Sequence, residues 1–297
     1  METARADLLD PAALASLGGL EIVARWVVDG FITGLHRSPR RGFSVEFAEH
    51  RPYQPGDDLR YLDWRIAARA DRWVVKQFEE ETNLRATIVL DVSRSMAWTG
   101  APGGPTPRLT KLAYAERLVA ALALLLLRQR DAVGLIRFDD RVRSLVPPRA
   151  RHGQWRRLLG SLAEPGAGVA SKAGDALAGA ARLVRRAGMV VLVSDLLVDA
   201  AEVEQSVRGL RAAGHDVNVL HILDPAERDL SLGAGEAVFV DPESGSAVPA
   251  VVSDVRDAYR TTVDAAITDW RRLFARYATV TTDAPFSVPL RHAFAAH

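Results

Sequence analysis

The sequence predicts an α/β fold: a doubly wound, mostly parallel sheet with helices on both faces, preceded by an N-terminal elaboration of helix and strand. Three observations lead there. Short, almost wholly apolar runs at 86–90, 132–138 and 189–193 alternate with longer helical stretches. Two of those runs end abruptly in oxygen-bearing side chains, Asp91 with Ser93 and Ser95, and Ser194 with Asp195. The composition is that of an ordinary globular chain, 48% hydrophobic and 25% charged over 297 residues. A chain of this length forms one large domain, or a domain with an elaboration, and buries roughly three quarters of its unfolded surface. The division expected is an elaboration over 1–83 and the α/β domain over 84–297.

In chain order, residues 7–37 read as helical, with Leu14, Leu17, Ile22, Trp26 and Phe31 at loose helical intervals. Residues 38–42 read as a turn and 43–47 as a strand. The run 84–90 reads as a buried strand, and Gly and Pro make 97–107 a loop. A helix over 109–128, a strand over 132–138 and an edge strand over 141–146 follow. A short helix over 152–162, a Gly-rich loop over 165–170 and a helix over 173–186 lead to the strand 189–193. Residues 200–213 are a helix stopped by Gly214, and 216–223 a strand. Residues 236–252 read as a hairpin. Ser253 is expected to cap a long helix with Val255, Tyr259, Val263, Ile267 and Trp270 on one face. A strand over 278–282 precedes the tail.

Composition excludes several function classes. There is no cysteine, hence no disulfide, thiolate metal site or cysteine nucleophile. The formal charge of +1 gives no global drive toward nucleic acid, despite the arginine run at 149–157. The positive charge is nearly all arginine; Lys76, Lys111 and Lys172 are the only lysines. The N-terminus lacks the basic start and apolar core of a signal peptide. The most apolar run, 118–127, is far shorter than the ~20 residues a bilayer span needs. No membrane insertion and a cytoplasmic location are therefore expected. Residues 53–73 interleave Asp57, Asp58, Arg60, Asp63, Arg65 and Arg69 with aromatic rings. Each acid there has an arginine close in sequence, so the block reads as a structural ion-pair network rather than a catalytic cluster.

The chemistry concentrates at the two strand ends. On an extended backbone, side chains at alternate positions share one side, so Asp91, Ser93 and Ser95 converge just past the end of their strand. Open α/β sheets place ligands at that rim. Asp195 ends a parallel neighbour and can face Asp91. Two carboxylates about 5 Å apart repel by roughly 3 kcal/mol at an effective dielectric near 20, which a cation, a proton or an arginine such as Arg94 must offset. All-oxygen donors suit Mg²⁺, Ca²⁺ or Mn²⁺ rather than zinc.

These residues resemble the von Willebrand factor A fold and its metal-ion-dependent adhesion site: Asp91-x-Ser93-x-Ser95 after a first core strand, a hydroxyl loop before a later helix, and Asp195 after another. The pattern Tyr53-x-Pro55-Gly56-Asp57-Asp58-x-Arg60-x-x-Asp63-Trp64, with Thr110-Lys111-Leu112 and Ser194-Asp195-Leu196, is similar to the bacterial family catalogued as domain of unknown function 58. The resemblance implies a von Willebrand factor A-like sheet and a divalent ion held by Asp91, Ser93, Ser95, Ser171 and Asp195. In von Willebrand factor A domains with that site, two serines and a threonine bind the metal, the acids act largely through water, and a partner's carboxylate completes the shell. Ser171 takes the threonine slot in a loop reading Gly168-Val-Ala-Ser171-Lys172 where the family has Gly-Gly-Thr-Asp; Asp175 is the fallback donor. The implied function is a non-enzymatic, metal-dependent interaction module, adaptor or co-chaperone to a MoxR-type AAA ATPase or its client. The alternative is Mg²⁺-dependent phosphoryl transfer or hydrolysis at the same site. Ser93 stands where an Asp-nucleophile phosphatase wants a second carboxylate, and no P-loop, Gly-x-Ser-x-Gly or His-Glu-x-x-His motif is present.

Overall fold

The computed structural model describes residues 19–36, 50–52, 73–76, 84–100, 108–166, 173–231, 233, 235–241 and 245–294. The chain divides into two compact units, residues 37–83 and residues 1–36 with 84–297. In the smaller unit β1 (His50–Pro52) pairs antiparallel with β2 (Val74–Lys76). The expected strand at 43–47 and the ion-pair block Asp57, Asp58, Arg60, Asp63, Arg65 and Arg69 lie outside the described residues.

The larger unit is built on a six-stranded sheet of order β10-β7-β6-β3-β4-β5. Its strands are β3 (Arg85–Asp91), β4 (Ala132–Phe138), β5 (Val142–Arg149), β6 (Met189–Ser194), β7 (Asp216–Leu223) and β10 (Tyr277–Thr281). All neighbours are parallel except β5, which runs antiparallel to β4 at one edge. Parallel strands covered on both faces need apolar side chains on both, which is why the runs at 86–90 and 189–193 show no polar alternation. In β3, Ile88 and Leu90 enter one core and Val89 the other.

The first core is capped by α1 (Leu20–His36), α2 (Lys111–Arg128), α3 (Gln154–Leu162) and α8 (Ser287–Phe294). Helix α2 is buried from Leu118 to Leu126, and its fully buried leucines at 118, 122 and 126 each contribute roughly 1.5–3 kcal/mol. The second core is capped by α4 (Ala173–Leu183), α5 (Ala200–Ala212) and α7 (Val252–Leu273). A short helix α6 (Pro225–Asp229) follows β7, and the hairpin of β8 (Glu236–Val240) with β9 (Ala247–Val251) leads into α7.

Three local readings change. The tail folds into α8, stacked through Phe286 on Tyr114 with ring centroids 4.6 Å apart. Its Pro289 sits in the first turn, where a backbone N–H has no helical acceptor and its loss costs nothing. Strand β5 runs on through Pro147 and Pro148, which an edge strand tolerates. Ser253 does not cap α7: Val251 is the cap residue without a side-chain bond, and Ser253 Oγ donates to Asp254 instead.

Between α2 and β4, Asp131 is 3% exposed and its Oδ1 has no partner. Burial pushes its carboxyl up to about 6, against a hydrogen bond from the Leu84 backbone. A carboxyl whose folded pKa is raised costs stability as pH climbs from its unfolded value through the folded one. Asp131→Asn is therefore expected to raise stability by about 1 kcal/mol near pH 8 and to change little near pH 4. Urea unfolding at the two pH values reads the difference; an equal effect at both would show that Asp131 is not held against its charge.

Candidate metal and partner site

From β3 the chain goes through α2 to β4 on one side, whereas β6 lies against β3 on the other. The strand order therefore reverses between β3 and β6, the position where open α/β sheets leave a crevice beyond their carboxyl ends. Asp91 closes β3, and Ser194 and Asp195 close β6.

The chain leaves β3 by an Asx turn in which the Ser93 N–H donates to Asp91 Oδ1 at 2.9 Å. A 3₁₀ turn over Ser95–Ala97 follows. Val92 and Met96 enter the core, while Ser93 and Ser95 meet each other, Oγ to Oγ, at 3.0 Å. Ser194 Oγ donates to Asp91 Oδ2 at 2.6 Å and accepts from the Leu196 N–H at 3.0 Å. Leu196 is held at φ 53°, a left-handed conformation that a branched side chain rarely adopts and that collects at functional sites. Asp91, Ser93, Ser95, Ser194 and Asp195 are all buried.

Asp195 has the partner that the sequence reading did not find. Lys111, the first residue of α2, is fully buried and donates from Nζ to Asp195 Oδ2 at 2.8 Å and to Glu227 Oε1 at 2.7 Å. Burial opposes its charge, but the two carboxylates outweigh burial and hold the ammonium above the ordinary lysine value. Glu227 lies in the first turn of α6, within a capping box in which Asp224 accepts from the Ala226 N–H at 2.8 Å. Tyr259 of α7 donates to the Glu227 carbonyl at 2.6 Å. A Cβ on Gly100 would collide with Ala226 and Asp224, so the segment after β3 can lie against α6 only with glycine there.

Among the described residues, no cation hydrogen-bonds to Asp91. Its carboxyl is pushed up to about 7, first by burial and then by the negative charge of Asp195; the bonds from Ser194 and Ser93 pull the other way. His221 on β7 faces the same region, and burial pushes its imidazole down to about 4, leaving it neutral near pH 7 and bonded to the Tyr277 hydroxyl at 2.5 Å.

The structure thus gathers four of the five expected ligand residues, Asp91, Ser93, Ser95 and Asp195, at one rim. Ser171 lies outside the described residues, and Asp175 is exposed on α4. Arg94 is exposed; the cation beside Asp195 is Lys111. Two signals for the missed residues stood in the sequence. Lys111 is one of three lysines in an arginine-rich chain and stands at a helix start, where the dipole disfavours a cation. Asp224-Pro225-Ala226-Glu227 reads as a capping box with Pro in the first turn.

A family model described as protein of unknown function DUF58 matches residues 49–271. An uncharacterized protein of Mycobacterium tuberculosis (strain ATCC 25618 / H37Rv) is 31% identical over 246 residues, 81% of this chain and 74% of the relative. An uncharacterized protein of Mycobacterium bovis matches with the same figures. Among solved structures, the conserved hypothetical protein BatB from Bacteroides thetaiotaomicron is 16% identical with TM-score 0.42, covering 71% of this chain and 97% of that one. An aerotolerance-related membrane protein from Bacteroides fragilis is 18% identical with TM-score 0.45, covering 72% and 100%. An uncharacterized membrane spanning protein from Vibrio fischeri is 18% identical with TM-score 0.26, covering 71% and 97%. The cytoplasmic location expected above is corrected on this finding: it rested on the lack of an apolar span, and two of these similar structures are of membrane proteins. Among the described residues, no helix is long and apolar enough to cross a membrane.

Proposed function

We propose, for a chain that belongs to the family described as protein of unknown function DUF58, a divalent-cation-dependent protein interaction module whose working surface is the rim between β3 and β6. The observation that carries this reading is the donor set at the switch point: a buried carboxylate with no bonded cation among the described residues, next to two hydroxyls that face each other.

The residues present fit a hard cation. Ser93 Oγ and Ser95 Oγ are 3.0 Å apart, and adjacent corners of an octahedron with Mg–O bonds of about 2.1 Å are separated by about 3.0 Å. Among the described residues, no group of three or more His, Asp or Glu side chains is placed to hold a metal ion; the donors at the rim are the hydroxyls of Ser93 and Ser95 and the carboxylate of Asp91. Mg²⁺ favours such sets because it keeps waters and exchangeable ligands. Asp91, Ser93 and Ser95 would hold the ion, with Asp195 beside them and Ser171 as the hydroxyl from the third loop. The ion would supply an open position for a carboxylate from a second protein. Ser194 orients Asp91, and the Asx turn fixes the spacing of the serines.

Such a site is that of a von Willebrand factor A-like domain, and the sequence resemblance makes a MoxR-type AAA ATPase or its client the partner to test first. A purified ATPase of that type is expected to bind this chain in Mg²⁺, and to lose at least ten-fold in affinity in EDTA or with Asp91→Asn. Binding undiminished by EDTA would remove the metal from the interaction. Mg²⁺-dependent phosphatase turnover that disappears in Asp91→Asn would instead favour an enzyme.

A further inference from the structure

The proposed cation site carries a second cation of its own, Lys111, and the surroundings of Lys111 tie it to the charge of the site rather than to packing alone. Its Nζ takes Asp195 Oδ2 at 2.8 Å on the rim and Glu227 Oε1 at 2.7 Å behind it. Glu227 is held in turn by a capping box and by the Tyr259 hydroxyl on its carbonyl. Asp195 is fixed at both oxygens, since its Oδ1 accepts from the Leu197 N–H at 3.3 Å. With Asp91 added, the cluster holds three carboxylates, two of them buried and Glu227 partly so, and one ammonium. Its formal charge of minus two is what one divalent ion cancels.

We propose that Lys111 is a positioning residue that sets which cation charge the rim accepts: it pins Asp195 through Oδ2 and cancels one negative charge, so that a divalent ion, not a trivalent one, balances the site. This rests on the rim being a cation site at all. Removing the ammonium leaves minus three and shifts preference toward a trivalent ion; removing the Glu227 charge leaves minus one and shifts it the other way. A side chain that only filled space or braced α2 would change affinity for all hard cations together.

The probes are Mg²⁺ and Tb³⁺ themselves. Mg²⁺ is followed by calorimetry, and Tb³⁺ by its sensitised luminescence, on the full chain near pH 8. The ratio of Tb³⁺ to Mg²⁺ affinity is expected to rise on the order of ten-fold or more in Lys111→Met and to fall by a similar factor in Glu227→Gln. Lys111→Met/Glu227→Gln is expected to return close to the parent ratio. Glu227 is partly exposed, with 19% of its side chain accessible, so Glu227→Gln gives the answer even if Lys111→Met does not fold. A parent protein that binds both ions, with a ratio unmoved in all variants, overturns the role given to Lys111 and leaves the cation site standing. A parent protein that binds neither ion overturns both.

Discussion

Replacing Lys111 by methionine is expected to lower the stability of the metal-free protein by about 3–5 kcal/mol, because the loss leaves the buried Asp195 and the partly buried Glu227 without their shared ammonium. Methionine has a comparable length and fills the same channel, so packing contributes little of that loss. The carboxylates at 2.8 and 2.7 Å from Nζ lose their charge-assisted bonds, and Asp195, 2% exposed, has little hydration to replace them. Urea unfolding in EDTA measures the effect. Adding Glu227→Gln to the variant is expected to recover part of the loss, and a divalent ion to recover more by binding the native state alone. A loss below about 1 kcal/mol would mean that the triad is as weak as a surface ion pair.

Asp91→Asn is expected to act in opposite directions on stability and on binding. Burial and the Asp195 charge hold the Asp91 carboxyl at about 7, above its unfolded value of 3.8. The native state therefore binds that proton more tightly than the unfolded chain, and stability falls as pH rises through that interval. Asparagine removes the penalty at little cost in hydrogen bonds. Its Oδ1 still accepts from the Ser93 N–H, and its Nδ2 can donate to Ser194 Oγ in place of the bond received there, so that only the Ser194 hydroxyl proton must turn to another acceptor. In EDTA the variant is expected to gain about 1–2 kcal/mol near pH 8 and nothing near pH 4. Cation affinity is expected to fall by about 100-fold or more, because the carboxylate that would hold the ion with the two serines is gone. A variant that is both less stable and fully competent to bind would contradict this division of roles. The pattern is that of a site kept at the expense of stability.

Much of the sheet was legible because buried parallel strands leave little choice of side chain. Residues 132–138 and 216–223 have in the structure the bounds expected from the sequence. The rim was legible for the same reason: Asp91 and Asp195 stand out because the runs before them are so apolar. What the sequence hid were partners brought in from a distance. Lys111 is separated from Asp195 by 84 residues and from Glu227 by 116, and no local pattern links them. The helix at Ser287–Phe294 was hidden differently, since Pro285 and Pro289 read as breakers until the second is seen to fall in a first turn. The repulsion foreseen between the two aspartates was sound chemistry, but for Asp195 the answer is a lysine on α2 rather than an arginine next door.

The most direct measurement of the cation site is Mn²⁺ binding, followed by the loss of the free-ion electron paramagnetic resonance signal, for the parent chain and for Ser93→Ala/Ser95→Ala. The double variant leaves every charge in place, so attraction at long range is unchanged and only the two hydroxyl donors are lost. One saturable ion per chain in the parent, weakened about ten-fold or more in the variant, is the expected result. Equal binding by both proteins, or none by the parent, would contradict a metal held between the ends of β3 and β6.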